Sequence, residues 1–95
     1  MSIEILSMRS KLITIRQVKA ARALLGWSQS DLARYSDVSE PTIARLESAD
    51  GDLGGRDETV KKIQKTIEAG GVEFIDENGG GSGVRLTKAS RRPKG

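Results

Sequence analysis

Two short amphipathic segments, each opened by a serine and held apart by the tight break Ser36-Asp37-Val38, constrain this chain more than any other feature. The first runs from Ser28 to Ser36 and the second from Ser39 to Ser48. Ser28 with Asp31 three positions later is a short-armed capping box. Ser39 caps the second segment, and Pro41 lies in its first turn, where a missing N–H costs nothing. Leu32, Ala33 and Tyr35 make the buried side of the first helix, and Ile43 and Leu46 the inward stripe of the second. Helices joined so closely must cross at short range, so the facing positions have to be small or aliphatic. Ala33, Val38, Ile43 and Leu46 meet that demand.

The flanking sequence supplies further helices. Thr14 is an N-cap, followed by Ile15, Val18, Ala21, Arg22 and Leu25 at helical spacing, and Gly26 ends that helix. After a Gly/Asp loop from Ala49 to Arg56, a helix opening at Arg56 or Asp57 carries Val60, Ile63 and Ile67, and Gly70-Gly71 stops it. Then the period changes. Val72–Ile75 and Val84–Thr87 read as strands of a β-hairpin around a turn with four glycines. The predicted organisation is a flexible arm or short edge strand over 1–13, a helical domain over 14–70, a hairpin extension over 71–87 and a disordered basic tail over 88–95. The predicted class is mainly α, four to five helices with a short C-terminal β-hairpin.

Composition narrows the chemistry. Among 95 residues 36% are hydrophobic and only 3% aromatic, so the core has to be built from Leu, Ile, Val and Ala, which suits packed helices. There is no Cys and no His, which removes thiolate catalysis, the commonest general base and the commonest metal ligands. No constellation of nucleophile, base and oxyanion donors is visible, so the expectation is no enzyme, no metal and no cofactor. No apolar run can span a bilayer and no signal-peptide core opens the chain, which points to a cytoplasmic protein with no membrane partner. The net charge is +3. It is unevenly spread: residues 1–27 carry Arg9, Lys11, Arg16, Lys19 and Arg22 against Glu4 alone, while residues 28–70 are slightly acidic. Attraction to phosphate therefore has to come from particular faces.

The stretch GWSQSDLARYSDVSEPTIARLE resembles the helix-turn-helix of the phage-repressor and Cro-like family, often called XRE. The resemblance covers about residues 14–70. It rests on Arg22, the Ser28-Gln29 pair, Leu32-Ala33, Ile43 and Glu47 at the family's spacings. It implies a lambda-repressor-like bundle that binds double-stranded DNA, with residues 39–48 as the recognition helix in the major groove. Gln29 then falls where the family bonds a phosphate; the bland alternative is a solvated polar residue in the first turn. Ser39, Glu40, Pro41 and Thr42 begin the recognition helix. Glu40 suits a cytosine amine, and Thr42 a thymine methyl or a phosphate, while Ser39 is first of all a helix cap. Arg45, one turn on, is the candidate for reading guanine; its alternatives are a plain phosphate contact or a surface ion pair. Arg34 and Ser48 are assigned DNA-backbone contacts only. Arg22 and Glu47 are implied to form a structural ion pair, and Trp27 a core plug beside the Ser28 cap.

The chain departs from the family pattern at Ser36, where an aliphatic is usual, and at Asp37, where glycine is usual. It departs again in the loop after Ser48-Ala49, which carries Asp50 and Asp52 with Arg56 to compensate. Family members usually act as two-fold dimers, so the resemblance makes Val72, Phe74, Ile75, Val84 and Leu86 of the hairpin candidate dimer contacts. The alternative is that the hairpin merely covers the last or first helix. The expected function is a sequence-specific regulator of transcription acting on duplex DNA as a homodimer. The competing reading is an antitoxin or anti-activator whose main partner is a protein, a toxin or an activator.

Overall fold

The computed structural model describes residues 13–87. The basic tail expected over 88–95, and all of the expected N-terminal arm but its last residue, lie outside the described residues. Four helices, α1 (Ile15–Leu25), α2 (Gln29–Ser36), α3 (Glu40–Glu47) and α4 (Asp57–Gly70), precede two strands, β1 (Val72–Ile75) and β2 (Gly83–Leu86). The strands form one antiparallel hairpin, with Val72 opposite Leu86 and Ile75 opposite Gly83. The second strand thus sits one residue earlier than its β-branched run suggests. Thr87 has left the ladder, but its N–H still donates to the Gly71 carbonyl at 2.8 Å.

Each helix starts and stops for a local reason. The Thr14 hydroxyl accepts from the Gln17 N–H, and the Gln17 side chain accepts from the Thr14 N–H, a reciprocal capping box. Ser28 and Asp31 make the same arrangement at α2. Ser39 caps α3, with Pro41 in its first turn. Gly26 and Gly71 close α1 and α4 in the left-handed region. Asp37 closes α2 the same way, at φ 63°, and is the one non-glycine with positive φ among the described residues. A β-carbon there costs roughly 1 kcal/mol or more, which Asp tolerates better than most residues.

The core is aliphatic. Ile15, Val18 and Ala21 of α1 meet Leu32 of α2, Ile43 of α3 and Ile63 and Ile67 of α4. Ile13 also belongs to this core rather than to an arm: it is buried, and its carbonyl accepts from the Leu53 N–H at 2.9 Å. With the Ile15 N–H donating to Gly51 and a bridge between Thr14 and Asp52, the α3–α4 loop is stitched to the start of α1. The hairpin lies on α1 and α4. Val72 is buried, and the half-buried Phe74 and Val84 pack against the core. Of the hairpin's apolar residues only Leu86 is exposed. Gln17, buried, ties the hairpin down: its amide donates to the Ile75 and Gly83 carbonyls at 3.2 and 2.8 Å. Tyr35, read as part of the buried side of α2, is instead 54% exposed, because the inward stripe of that helix is completed by Ser36.

Ser36 is buried, and its hydroxyl has no hydrogen-bond partner. An unsatisfied buried hydroxyl is a net cost. Ser36→Ala is therefore expected to raise stability by about 1 kcal/mol, read as a higher urea midpoint at unchanged slope. Asp37→Gly relieves the left-handed strain and is expected to add a similar increment of about 1 kcal/mol in the same assay.

Candidate nucleic-acid interface

The α2–α3 unit is held against α1 by a buried polar cluster. Arg22 of α1 reaches the Glu47 carboxylate at the end of α3 through two bonds, Nε to Oε2 at 2.9 Å and Nη2 to Oε1 at 2.7 Å. A third donor of Arg22 reaches the Trp27 carbonyl at 3.0 Å. The Gln29 amide, in the first turn of α2, donates to the same Oε1 at 3.0 Å. One carboxylate therefore joins α1, α2 and α3. Burial pushes the Glu47 carboxyl up, but the bonds from Arg22 and Gln29 and the nearby positive charge outweigh it and hold it below the ordinary carboxylate range.

Behind this anchor, α3 turns its other side to solvent. Glu40, Pro41 and Arg45 are exposed, and Thr42 is half-buried. The Ser39 hydroxyl donates to the Thr42 hydroxyl at 2.8 Å and accepts from the Thr42 N–H, which leaves the Thr42 hydroxyl proton uncommitted by these bonds. Arg45 and Thr42 line a cleft of about 330 Å³ whose other wall is Gly55, Arg56 and Thr59. Arg56 occupies the N-cap position of α4 and makes no side-chain cap bond. The first turn of α4, which carries Asp57 and Glu58, therefore has no side-chain acceptor at its cap.

The arginines divide into two groups. Among the described residues Arg16 pairs with Asp50, Arg22 with Glu47, Arg34 with Asp31 and Arg85 with Glu73. Arg45 and Arg56 have no carboxylate within ion-pair distance among the described residues, and they line the same cleft. The Asp50 charge, which makes the α3–α4 loop acidic in the sequence, is met by Arg16 at 3.2 Å. The Arg16 bond and a Gly51 N–H hold that carboxyl below its usual range.

The other residues singled out in the sequence are placed differently. Gln29 is turned inward to Glu47, leaving one amide proton uncommitted. Arg34 bonds Asp31 and lies 5.5 Å from the centre of the Tyr35 ring, away from the cleft lining. The Ser48 hydroxyl donates to the Arg45 carbonyl at 2.7 Å, closing the end of α3. Arg56 and Thr59 are the residues that a reading of the motif alone undervalues. Their only signal is position, just before and just inside the start of a helix.

A family model described as helix-turn-helix matches residues 18–68, from the middle of α1 to the last turn of α4. The chain belongs to the XRE/Cro-like helix-turn-helix family. No curated protein matches it. The family is one of DNA-binding domains. No helix among the described residues is long and apolar enough to cross a membrane.

The polar anchor has a measurable pH signature. A carboxyl whose pKa is lower in the folded chain than in the unfolded one adds stability that is present above the unfolded value, about 4.3, and is lost as the pH falls through the folded value. Glu47→Gln is expected to cost about 2–3 kcal/mol at pH 7, less than for a fully buried pair because Arg22 keeps some contact with water. The gap between wild type and variant should narrow in urea titrations as the pH falls below about 4.3, because the unfolded wild-type chain then takes up a proton that the folded chain resists.

Proposed function

We propose that this protein is a sequence-specific duplex-DNA-binding regulator of transcription that inserts α3 into the major groove and acts as a homodimer. The observation that carries this reading is the pair of unneutralised arginines, Arg45 and Arg56, on one cleft beside the start of α3. A guanidinium without a carboxylate partner is free to meet an anion or a base edge, and its fork matches both phosphate and guanine. Arg45, on the exposed side of α3, reads guanine through O6 and N7. Glu40 accepts from a cytosine amine, and Thr42 contributes its free proton or its methyl group. Ser39 and Pro41 set the start of the helix. Arg56, at the N-cap position of α4, takes a backbone phosphate. Gln29 offers its second amide proton to a phosphate, while Arg34 and Ser48 add at most backbone contacts, because both are already engaged within the chain.

One recognition helix supplies a small interface, and two copies on half-sites about one helical turn apart supply the rest. Because Val72, Phe74 and Val84 are used in the core, the hairpin contribution to such a dimer is left to Leu86, Ile75 and the outer strand edge.

The test is fluorescence anisotropy with duplex from upstream of the protein's own gene, at several salt concentrations and with unrelated duplex as competitor. Arg45→Ala is expected to lose about 1–3 kcal/mol on the specific site and to relax the preference at one base pair. Arg56→Ala should weaken binding to all sequences alike and reduce the log–log salt slope by about 1. Competitor-sensitive binding that neither substitution changes would refute the reading.

A further inference from the structure

A second cleft lies at the opposite end of α4. It encloses about 350 Å³ and is lined by Trp27, Tyr35, Lys65, Thr66, Ala69 and Gly70. Two of the chain's three aromatic residues meet there, with ring centroids 4.8 Å apart and planes tilted by 56°. Tyr35 stands largely in solvent, and Trp27 is half-buried. The indole occupies the space a side chain at position 70 would need: a β-carbon on Gly70 would lie 2.8 Å from the ring. The floor is therefore small and apolar, made by Ala69 and Gly70.

The rim is basic. Lys65 lines the cleft and also the adjoining groove along α4, which it shares with Lys61, Gln64 and Glu68. Among the described residues neither Lys61 nor Lys65 has a carboxylate within ion-pair distance, and the Glu68 carboxylate accepts instead from Gln64 at 3.2 Å. Lys65 thus stands at the edge of the apolar notch, and Lys61, one turn away, continues the positive charge along the adjoining groove.

We propose that this cleft docks an acidic segment of another protein, with a large apolar side chain seated against Trp27 and Tyr35 and carboxylates on Lys65 and Lys61. Aromatic walls supply apolar contact area at low entropic cost, and the lysines select the sign of the partner. A nucleic-acid strand fits less well. Base stacking needs open ring faces, whereas here the rings are tilted, the indole lies against Gly70, and the Arg34 guanidinium lies over Tyr35. Thr59 at the DNA-facing cleft and Ala69 here are about 15 Å apart along the helix at 1.5 Å per residue, so the two sites can be filled together. The docking cleft does not depend on the DNA-binding assignment.

The experiment is selection of the full chain against a displayed library of random linear peptides, followed by titration of the recovered peptides. Trp27, the single tryptophan, is the reporter. Recovered peptides are expected to combine a large apolar residue with Asp or Glu and to shift the Trp27 emission. Lys65→Glu and Tyr35→Ala should each weaken them at least about tenfold, while leaving the duplex-DNA titration of both variants unchanged. The proposal is overturned if selection returns no binder, or if the peptides lack acidic residues or bind both variants as well as wild type. It is also overturned if only a single-stranded oligonucleotide perturbs Trp27.

Discussion

The Glu47 carboxylate is the interaction on which the arrangement of this small domain depends. It lies at the end of α3 and receives Arg22 from α1 and Gln29 from α2. Apolar packing alone leaves a short helix free to slide and roll, because aliphatic contacts have little direction. A two-point guanidinium–carboxylate bond has both direction and length. With α3 only eight residues long, it is this bond that converts a greasy contact into a defined orientation. Desolvation makes such a pair a weak source of net stability, so its main product is the pose of α3.

The same economy appears at the hairpin. Two four-residue strands cannot stand alone. They persist because Val72, Phe74 and Val84 complete the core, and because Gln17 caps α1 with one end of its amide and holds two hairpin carbonyls with the other. The extension is thus part of the fold of α1 rather than an appendage to it. Together with the loop stitched to Ile13 and Ile15, it closes a core whose fully buried residues are all aliphatic.

Charge is distributed by function-compatible subtraction. Among the described residues four arginines are paired with carboxylates, while Arg45 and Arg56 line one cleft without such a partner, and Lys61 and Lys65 line a groove along α4. A net charge of +3 says little about where a polyanion or an acidic partner would land. The pairing pattern says much more, because a paired guanidinium has already spent most of its field nearby.

Much of this was legible in the sequence alone. Helix starts at Thr14, Ser28 and Ser39, the stops at Gly26, Asp37 and Gly71, the aliphatic core positions and the strand period are local consequences of capping chemistry, backbone preference and hydrophobic spacing. Those signals act over a few residues, so they survive without knowledge of the fold. Tertiary structure alone decided the rest. It turned Tyr35 outward beside Trp27, left the Ser36 hydroxyl unpartnered, and directed Gln29 to Glu47. It also packed Val72, Phe74 and Val84 of the hairpin against the core and brought Arg56 beside Arg45. Each of these depends on which distant side chain arrives first at a polar group or an empty volume. That competition is settled by packing among α1, α2, α3 and α4, not by any local stretch of chain.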